Sequence, residues 1–333
     1  MSEPLPLSPA RIGLGLAALG RPGYINLGHA LDLPAGHGTE AMRQQAFEVL
    51  DAAYAAGIRS FDVARSYGRA EEFLSDWLRG RQLPAGSVQV GSKWGYTYTA
   101  DWQVQAEHHE VKEHSLHNFE RQWPQTEALL GGWLKVYLAH SVTPDSPLLT
   151  DRTLQDRLLR LRDLGVTPGL SLSGPRQGEV LEQALALHLN GAPVFGAVQV
   201  TWNLLESSAG PALLAAHEAG WQVVLKEGVA NGRLTDRGTA PRGMAGALQP
   251  QQAQLLLDLC QRYGTSPDAL ALAAALAQPF AQLVLSGAST TAHLHSNLTA
   301  LRLRLSAADL SELESLKESP VDYWQTRSRL AWN

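Results

Sequence analysis

The sequence predicts a single-domain α/β protein, residues 1–333, whose parallel strands close into a (β/α)8 barrel of the TIM class. Strand-like and helix-like segments alternate along all 333 residues, a pattern typical of parallel α/β folds. Eight segments are strand-like, which is the number needed to close such a barrel. Most of them are short apolar runs, as expected for strands buried on both faces. A doubly wound open sheet is the alternative architecture.

The predicted elements alternate from one end of the sequence to the other. The strands cover residues 12–16, 60–63, 88–93, 134–140, 169–173, 197–201, 221–226 and 283–287. The main helices cover residues 39–56, 70–78, 109–130, 154–164, 178–189, 209–219, 250–263, 267–277 and 291–298. In the clearest helix, Thr39 is the expected N-cap and Gly57 the C-terminal stop, and apolar residues between them recur at helical spacing.

Two irregular stretches interrupt this alternation. One is a Gly- and Pro-rich loop at residues 20–38, and the other is the C-terminal tail at residues 319–333. Long irregular segments in a compact domain are more often functional than not. We therefore expect both to lie near the substrate pocket.

Composition and charge argue against several classes of protein. The formal net charge is −5 and no basic stripe is present, so no nucleic-acid partner is expected. No apolar stretch reaches bilayer-spanning length, and we find no secretory signal. Cys260 is the only cysteine, which excludes an internal disulfide and fits a reducing compartment. We expect a cytoplasmic monomer or small homo-oligomer that acts on a small molecule.

Residues 13–18 fit the permissive dinucleotide-binding fingerprint G-x-G-x-x-G/A. That fingerprint must open directly into a helix whose N-terminus binds the pyrophosphate. The sequence Gly-Arg-Pro-Gly at residues 20–23 breaks a helix instead. We therefore predict that Gly13 and Gly15 belong to the first barrel strand and not to a Rossmann fold.

A cluster of histidines and glutamates raises the question of a metal site. Its members are His108, His109, Glu110, Glu113, His114 and His117. The segment has no H-E-x-x-H or cysteine-containing ligand pattern. We expect an exposed amphipathic helix and no bound metal, with a metal-dependent barrel hydrolase as the alternative.

Four polar residues of complementary chemistry lie at or just past the C-terminal ends of predicted strands. They are Asp62, Tyr67, Lys93 and His140. In a parallel barrel all strand C-termini open onto one face, so these side chains should converge there. Each residue alone has a structural interpretation, for example a turn cap or a lysine that reaches water. Their joint occurrence at successive strand ends predicts machinery for proton transfer.

The sequence resembles the aldo-keto reductase family. The resemblance is carried by residues 57–64 and the following Tyr67-Gly68, together with Lys93 and His140 at later strand ends. The resemblance extends from Ile12 to the region near Asn297. It implies a (β/α)8 barrel that binds a nicotinamide cofactor without a Rossmann domain. It also implies an NAD(P)(H)-dependent oxidoreductase that reduces an aldehyde or ketone to an alcohol.

The resemblance and the chemistry of the four residues suggest their roles. Tyr67 is the expected general acid, and Lys93 is expected to lower its pKa from the usual value of about 10. Asp62 would keep Lys93 charged, and His140 would orient the carbonyl group of the substrate. General acid catalysis of this kind contributes about 10²–10⁴-fold to the rate.

The resemblance also implies a set of cofactor contacts. Ser173 and Gln199 are expected to hold the carboxamide, Trp202 to stack on the nicotinamide ring, and Gly228 to lie in the pyrophosphate loop. Around the adenosine end we expect Ser289, Thr290, His293 and Asn297. The sequence departs from the family pattern at Gly174, where an asparagine is usual, and at residues 226–232, which replace a Ser-Pro-Leu loop. No Arg or Lys stands at the expected 2′-phosphate position, so NADP(H) is favoured only slightly over NAD(H).

The substrate pocket is expected to have an aromatic wall that accepts many carbonyl compounds. Its predicted members are Tyr24, Trp94, Tyr96, Trp102, Tyr323 and Trp324. Two alternative functions remain open at this stage. One is an NAD-dependent aldose dehydrogenase that works in the oxidative direction, and the other is a slow, cofactor-binding redox sensor or regulatory subunit.

Overall fold

Eight parallel strands form a closed barrel at the centre of the protein, in a computed structural model that describes residues 11–33, 35–240 and 246–333. In chain order the barrel strands are β1 (Ile12–Gly15), β2 (Ser60–Asp62), β3 (Gln89–Trp94), β4 (Leu134–Val142), β5 (Thr167–Leu172), β6 (Ala197–Thr201), β7 (Gln222–Lys226) and β8 (Leu283–Ser286). β1 pairs with both β2 and β8, which closes the ring. The predicted barrel is confirmed, the open sheet is excluded, and Gly13 and Gly15 lie in β1 as expected.

Helices surround the barrel and connect its strands. They are α1 (Thr39–Ala55), α2 (Ala70–Gly80), α3 (Leu116–Leu130), α4 (Arg152–Leu159), α5 (Gln177–Leu185), α6 (Gly210–Glu218), α7 (Asp236–Thr239), α8 (Pro250–Tyr263), α9 (Pro267–Leu276), α10 (Thr291–Leu298), α11 (Ala307–Leu313) and α12 (Pro320–Ser328). In the described part of the chain, none of the helices is long and apolar enough to cross a membrane.

The segment that carries the histidine cluster differs from its prediction. Glu110–Lys112 is a short strand paired with Tyr96–Tyr98, and α3 begins only at Leu116. The helix starts late because Ser115 is its N-cap, with a side chain that accepts a hydrogen bond from Asn118 N at 3.1 Å. His114 is buried rather than exposed, since its two ring nitrogens bond to Ser146 Oγ and to the carbonyl oxygen of His140.

The loop at residues 20–38 lies directly on the turn that carries Tyr67. A Cβ atom at Gly20 would stand 2.4 Å from the carbonyl oxygen of Tyr67, and one at Gly68 would stand 2.4 Å from the carbonyl oxygen of Gly20. Gly68 also has a φ of 58°, a left-handed conformation that favours glycine. The two glycines therefore allow the loop to approach the barrel mouth at backbone distance.

The C-terminal tail meets the same loop above the barrel. The backbones of Tyr24 and Asn333 exchange hydrogen bonds of 3.1 and 3.3 Å, and Ile25 pairs with Trp332 in an isolated β-bridge. Within the tail, α12 directs Arg327 towards the barrel mouth, where it joins the cavity wall. Both irregular stretches thus contribute side chains to one cavity.

Candidate active site

A buried ion pair lies at the mouth of the barrel. Lys93, at the end of β3, is 0% exposed, and its Nζ donates to Asp62 Oδ2 at 2.6 Å and to the carbonyl oxygen of Val63 at 3.0 Å. The second carboxylate oxygen of Asp62 accepts a hydrogen bond of 2.8 Å from Gln199 Nε2. Hydrogen bonds among groups on β2, β3 and β6 and the residue after β2 therefore hold both charged groups in one position.

Tyr67 lies above this pair, with its hydroxyl 3.5 Å from His140 Nε2. The ammonium group of Lys93 lies 4.6 Å from the centroid of the Tyr67 ring, so it faces the ring while its hydrogen bonds go to Asp62 and Val63. Burial, followed by the charge of Asp62, raises the pKa of Tyr67 well above its usual value. The net shift is therefore opposite to the lowering expected from the sequence, because lost hydration and the neighbouring carboxylate outweigh the charge of Arg21.

His140 is a neutral imidazole in this arrangement. Burial is the main reason why its pKa lies well below the usual value, and the charges of Lys93, Lys226 and Arg21 act in the same direction. Its Nδ1 lies 3.3 Å from Ser66 Oγ, while Nε2 faces the Tyr67 hydroxyl. A neutral imidazole has one donor and one acceptor, so one nitrogen can bind a substrate oxygen while the other bonds to Ser66.

Arg21 is a site residue that the sequence reading missed. Its side chain is almost fully buried, and its Nη1 donates to the carbonyl oxygen of Ser66 at 3.2 Å and to Glu110 Oε2 at 3.0 Å. The guanidinium carbon lies 5.2 Å from the centroid of the Tyr67 ring and 4.8 Å from that of Trp332. The available signal is a cation inside the Gly- and Pro-rich loop, within the same four residues that break the helix.

A cavity of about 240 Å³ opens beside Tyr67 and His140. A second cavity, of about 280 Å³, lies towards the N-terminus of α10. The two share four lining residues, so they form one elongated cleft that leads from the four polar residues to α10. The shared residues are Asn26, Val229, Gly287 and Asn297.

The residues expected to contact a cofactor separate into two groups. Ser173, Gln199 and Gly228 line the central cavity, His293 lines the second, and Asn297 lines both. Ser289 and Thr290 instead have structural contacts at the start of α10. Ser289 Oγ donates to Asp32 Oδ2 at 3.2 Å, and Thr290 caps the helix by accepting a hydrogen bond of 3.1 Å from His293 N.

Trp202 does not occupy the position expected for a residue that stacks on the nicotinamide. It is 6% exposed, packs edge-on against Phe280 and lines a different cavity. Successive side chains of a strand point to opposite faces. Thr201 faces the barrel mouth and donates to Glu227, so Trp202 points outwards.

Three other tryptophans predicted for the substrate pocket also lie outside the central cavity. Trp94 is fully buried against Phe119 because Lys93, the residue before it, points inwards. Trp102 Nε1 donates to the carbonyl oxygen of His37 at 2.7 Å.

Trp324 packs beside Arg327 and Tyr323, and the Tyr323 hydroxyl accepts a hydrogen bond from Asn203. Tyr24 and Tyr96 do line the cavity, together with Trp332, which the prediction omitted.

A second set of charges, also missed from the sequence, lies across the cavity. Arg327 donates from Nε to both carboxylate oxygens of Glu227, at 3.0 and 3.1 Å. Burial raises the pKa of Glu227, but the charges of Arg327 and Lys226 outweigh it and lower the pKa to about 2. Burial lowers the pKa of Lys226, at the end of β7, to about 8.

Buried neutral histidines should make the protein sensitive to acid. Burial lowers the pKa of both His29 and His114 from 6.5 to about 4. Between these values the unfolded chain binds protons that the folded chain does not, so stability falls as the pH falls. We expect the free energy of unfolding to drop by about 1.4 kcal/mol per pH unit for each such histidine, measured by urea titration. A free energy that stays constant from about pH 6.5 to 5 would contradict this.

Comparison with known proteins places the chain in a family. A model of the Aldo/keto reductase family matches residues 11–318. The chain therefore belongs to the aldo/keto reductase family, whose members are oxidoreductases, as the motif around Asp62 and Tyr67 indicated.

Related proteins of comparable length support this placement. The chain is 25% identical over 335 residues to "Aldo-keto reductase str7" of Strobilurus tenacellus, covering 94% of this chain and 93% of that protein. It is also 25% identical over 321 residues to "Protein tas" of Escherichia coli (strain K12), covering 84% of this chain and 91% of that protein. Among solved structures it resembles the holo form of aldo-keto reductase AKR11C1 from Bacillus halodurans, with a TM-score of 0.67, 19% identity and 95% coverage of both chains. The last similarity concerns the fold.

Proposed function

We propose that the protein is an NAD(P)(H)-dependent oxidoreductase that reduces an aldehyde or ketone to an alcohol, with Tyr67 as the general acid. One observation carries the proposal. The Tyr67 hydroxyl lies 3.5 Å from His140 Nε2 in the wall of a cavity, and the ion pair between Lys93 and Asp62 lies beneath it. A bound nicotinamide would supply the hydride. Turnover of a panel of aldehydes and ketones with NADH and NADPH tests the proposal, and no turnover with any of them would contradict it.

The protonation states of Tyr67 and His140 fit their proposed roles as proton donor and substrate-orienting group. The raised pKa of Tyr67 keeps its hydroxyl protonated, so the proton is available for the carbonyl oxygen. His140 is neutral and can donate a hydrogen bond to the same oxygen, which would orient the substrate. Lys93 and Arg21 lie near the Tyr67 ring, where their charges would stabilise the phenolate that remains after proton transfer.

The elongated cleft suits a dinucleotide in both shape and chemistry. At the end near Tyr67, Ser173 and Gln199 can bind a carboxamide. Farther along, the side-chain oxygens of Asn26 and Asn231 are buried acceptors that have no hydrogen-bond partner in the described part of the chain. Buried polar groups are normally hydrogen-bonded, so these two oxygens fit the hydroxyl groups of a bound ribose.

Contacts of Asp32 favour NAD(H) over the NADP(H) expected from the sequence. This buried carboxylate accepts hydrogen bonds from both terminal nitrogens of Arg237 and from Ser289, and it lies 3.7 Å from His293 Nε2. The hydrogen-bond donors at the α10 end of the cleft, Arg237 and Ser289, are thus already bonded to the carboxylate of Asp32. A 2′-phosphate would have to compete with Asp32 for them and would be repelled by it.

Replacing Asp32 should change the cofactor preference. We expect wild-type protein to bind NADH more tightly than NADPH, and Asp32→Ala to tighten NADPH binding about ten-fold relative to NADH, because Arg237 is released to pair with phosphate. Fluorescence titration with each dinucleotide measures the two dissociation constants. Asp163→Ala, at an exposed position, is the matched control. An unchanged NADH to NADPH ratio in Asp32→Ala would refute this role.

The contacts of Asp32 that favour NAD(H) also support a second candidate function, that of an NAD-dependent aldose dehydrogenase. Oxidation of a sugar with NAD⁺ would use the same groups in reverse, with Tyr67 as the acceptor of the hydroxyl proton. Comparison of kcat/KM for aldoses with NAD⁺ against aldehydes with NADH separates the two directions. Higher values in the oxidative direction would favour the dehydrogenase.

A further inference from the structure

The central cavity and the fully buried Lys93 beneath its wall together hold four positive and three negative charges. Three of the four cations are paired: Arg21 with Glu110 at 3.0 Å, the buried Lys93 with Asp62 at 2.6 Å, and Arg327 with Glu227 through three hydrogen bonds. These ion pairs are neutral overall. Lys226 is the cation that remains in the cavity wall.

Lys226 is set apart by its missing partner. Among the residues that the structure describes, its ammonium group has no hydrogen bond and no carboxylate within ion-pair distance, although Glu227 follows it directly in the sequence. The carboxylate of Glu227 instead bonds to Arg327 and Thr201. A partly buried ammonium group without a partner is costly, and a bound anion would remove that cost.

The barrel register places Lys226 near the catalytic end of the cleft. On β6 and β7, Gln199 pairs with Val224, and Thr201 pairs with Lys226. The side chain of Lys226 therefore points into the barrel, two residues closer to the barrel mouth than the level at which Gln199 bonds to Asp62. It lines the central cavity but not the second cavity towards α10. Lys226 begins the segment in which a pyrophosphate loop is expected, but its place in the cavity that Tyr67 and His140 also line favours contact with a group on the substrate.

We propose that Lys226 binds a carboxylate of the substrate, so that the substrate is an anionic carbonyl compound such as an oxo acid or a sugar acid. This inference rests on the proposed reductase function and names the substrate class of the same site. Neutral aldehydes and ketones would leave the ammonium group without its partner. They should therefore bind more weakly than carboxylated compounds of the same size.

Calorimetric titration with 4-carboxybenzaldehyde and its neutral carboxamide tests the proposal without requiring turnover. We expect wild-type protein to bind the carboxylate about ten- to one-hundred-fold more tightly, as a charge-assisted hydrogen bond provides. Lys226→Met should abolish this preference, and Lys226→Arg should keep part of it. Lys135→Met removes the same charge from the outer face of β4 and should leave the preference intact.

Three outcomes would overturn the assignment of Lys226. One is equal affinity for the two compounds in wild-type protein. Another is a preference that survives in Lys226→Met. The third is a loss of NADH affinity in Lys226→Met as large as the loss of carboxylate affinity, which would assign the ammonium group to the diphosphate. Circular dichroism of each variant, and the Lys226→Arg result, exclude a folding defect as the cause.

Failure of the proposed reductase function gives a different result. In that case the carboxylate preference and its loss in Lys226→Met would remain, while no carbonyl compound would be reduced with NADH or NADPH. Conversely, reduction of neutral and carboxylated aldehydes with equal kcat/KM and equal affinity would leave the reductase in place and reject the anion site.

Discussion

Tyr67→Phe should lower kcat/KM by about 10²–10⁴-fold, because it removes the proton donor at the carbonyl oxygen. The substitution deletes one oxygen atom and leaves the ring in contact with Arg21 and Lys93. The cavity should therefore keep its shape and its affinity for the dinucleotide. Steady-state kinetics and fluorescence titration of NADH measure the two effects separately.

Tyr98→Phe is the matched control for this substitution. It removes a hydroxyl group from the hairpin at Tyr96–Tyr98, outside the lining of the central cavity. It should leave kcat/KM within about two-fold of wild type, as is usual for a change away from the reacting groups. Comparable activity in Tyr67→Phe and Tyr98→Phe would reject Tyr67 as the acid.

Lys93→Met should destabilise the protein strongly, by about 3–5 kcal/mol, because it breaks a buried ion pair and leaves a carboxylate uncompensated. Lys93 is 0% exposed, and after the substitution the side-chain contact that remains for Asp62 is the amide of Gln199 at 2.8 Å. The free energy of unfolding, from urea titration monitored by circular dichroism, measures this loss.

The double variant Asp62→Asn/Lys93→Met separates the structural role of the pair from its chemical role. With both charges removed, most of the lost stability should return, while activity should stay low because no ammonium group faces the Tyr67 ring. Equal stability of wild type and Lys93→Met would show that Asp62 does not depend on Lys93. Recovery of activity in the double variant would contradict the catalytic role of the pair.

Much of the fold was predictable because the strands have local signals. Most barrel strands are short apolar runs that end near a Gly, a Pro or a helix start, and the predicted and observed strands differ by a few residues at their ends. The convergence of Asp62, Lys93 and His140 follows from the parallel arrangement alone. The outward positions of Trp94 and Trp202 follow from the alternation of side chains along a strand, since each comes directly after an inward-facing residue.

Other parts of the site carry no local signal. Arg327 pairs with Glu227, which lies 100 residues earlier, and Arg237 pairs with Asp32 across 205 residues. Such contacts depend on how the irregular segments fold over the barrel, and these segments lack hydrophobic periodicity. Burial of His114 escaped prediction for a related reason, since the short hairpin that precedes α3 replaced the expected helix.

The most direct test of proton and hydride transfer at Tyr67 is a single turnover with a dinucleotide that carries deuterium at the reactive ring carbon. Wild-type protein would be mixed with this cofactor and a panel of aldehydes and ketones, and the products analysed by mass spectrometry. We expect deuterium in the alcohol carbon of at least one product, and a loss of that label within the same time in Tyr67→Phe. Absence of label from every product, or equal labelling by Tyr67→Phe, would contradict the proposed chemistry.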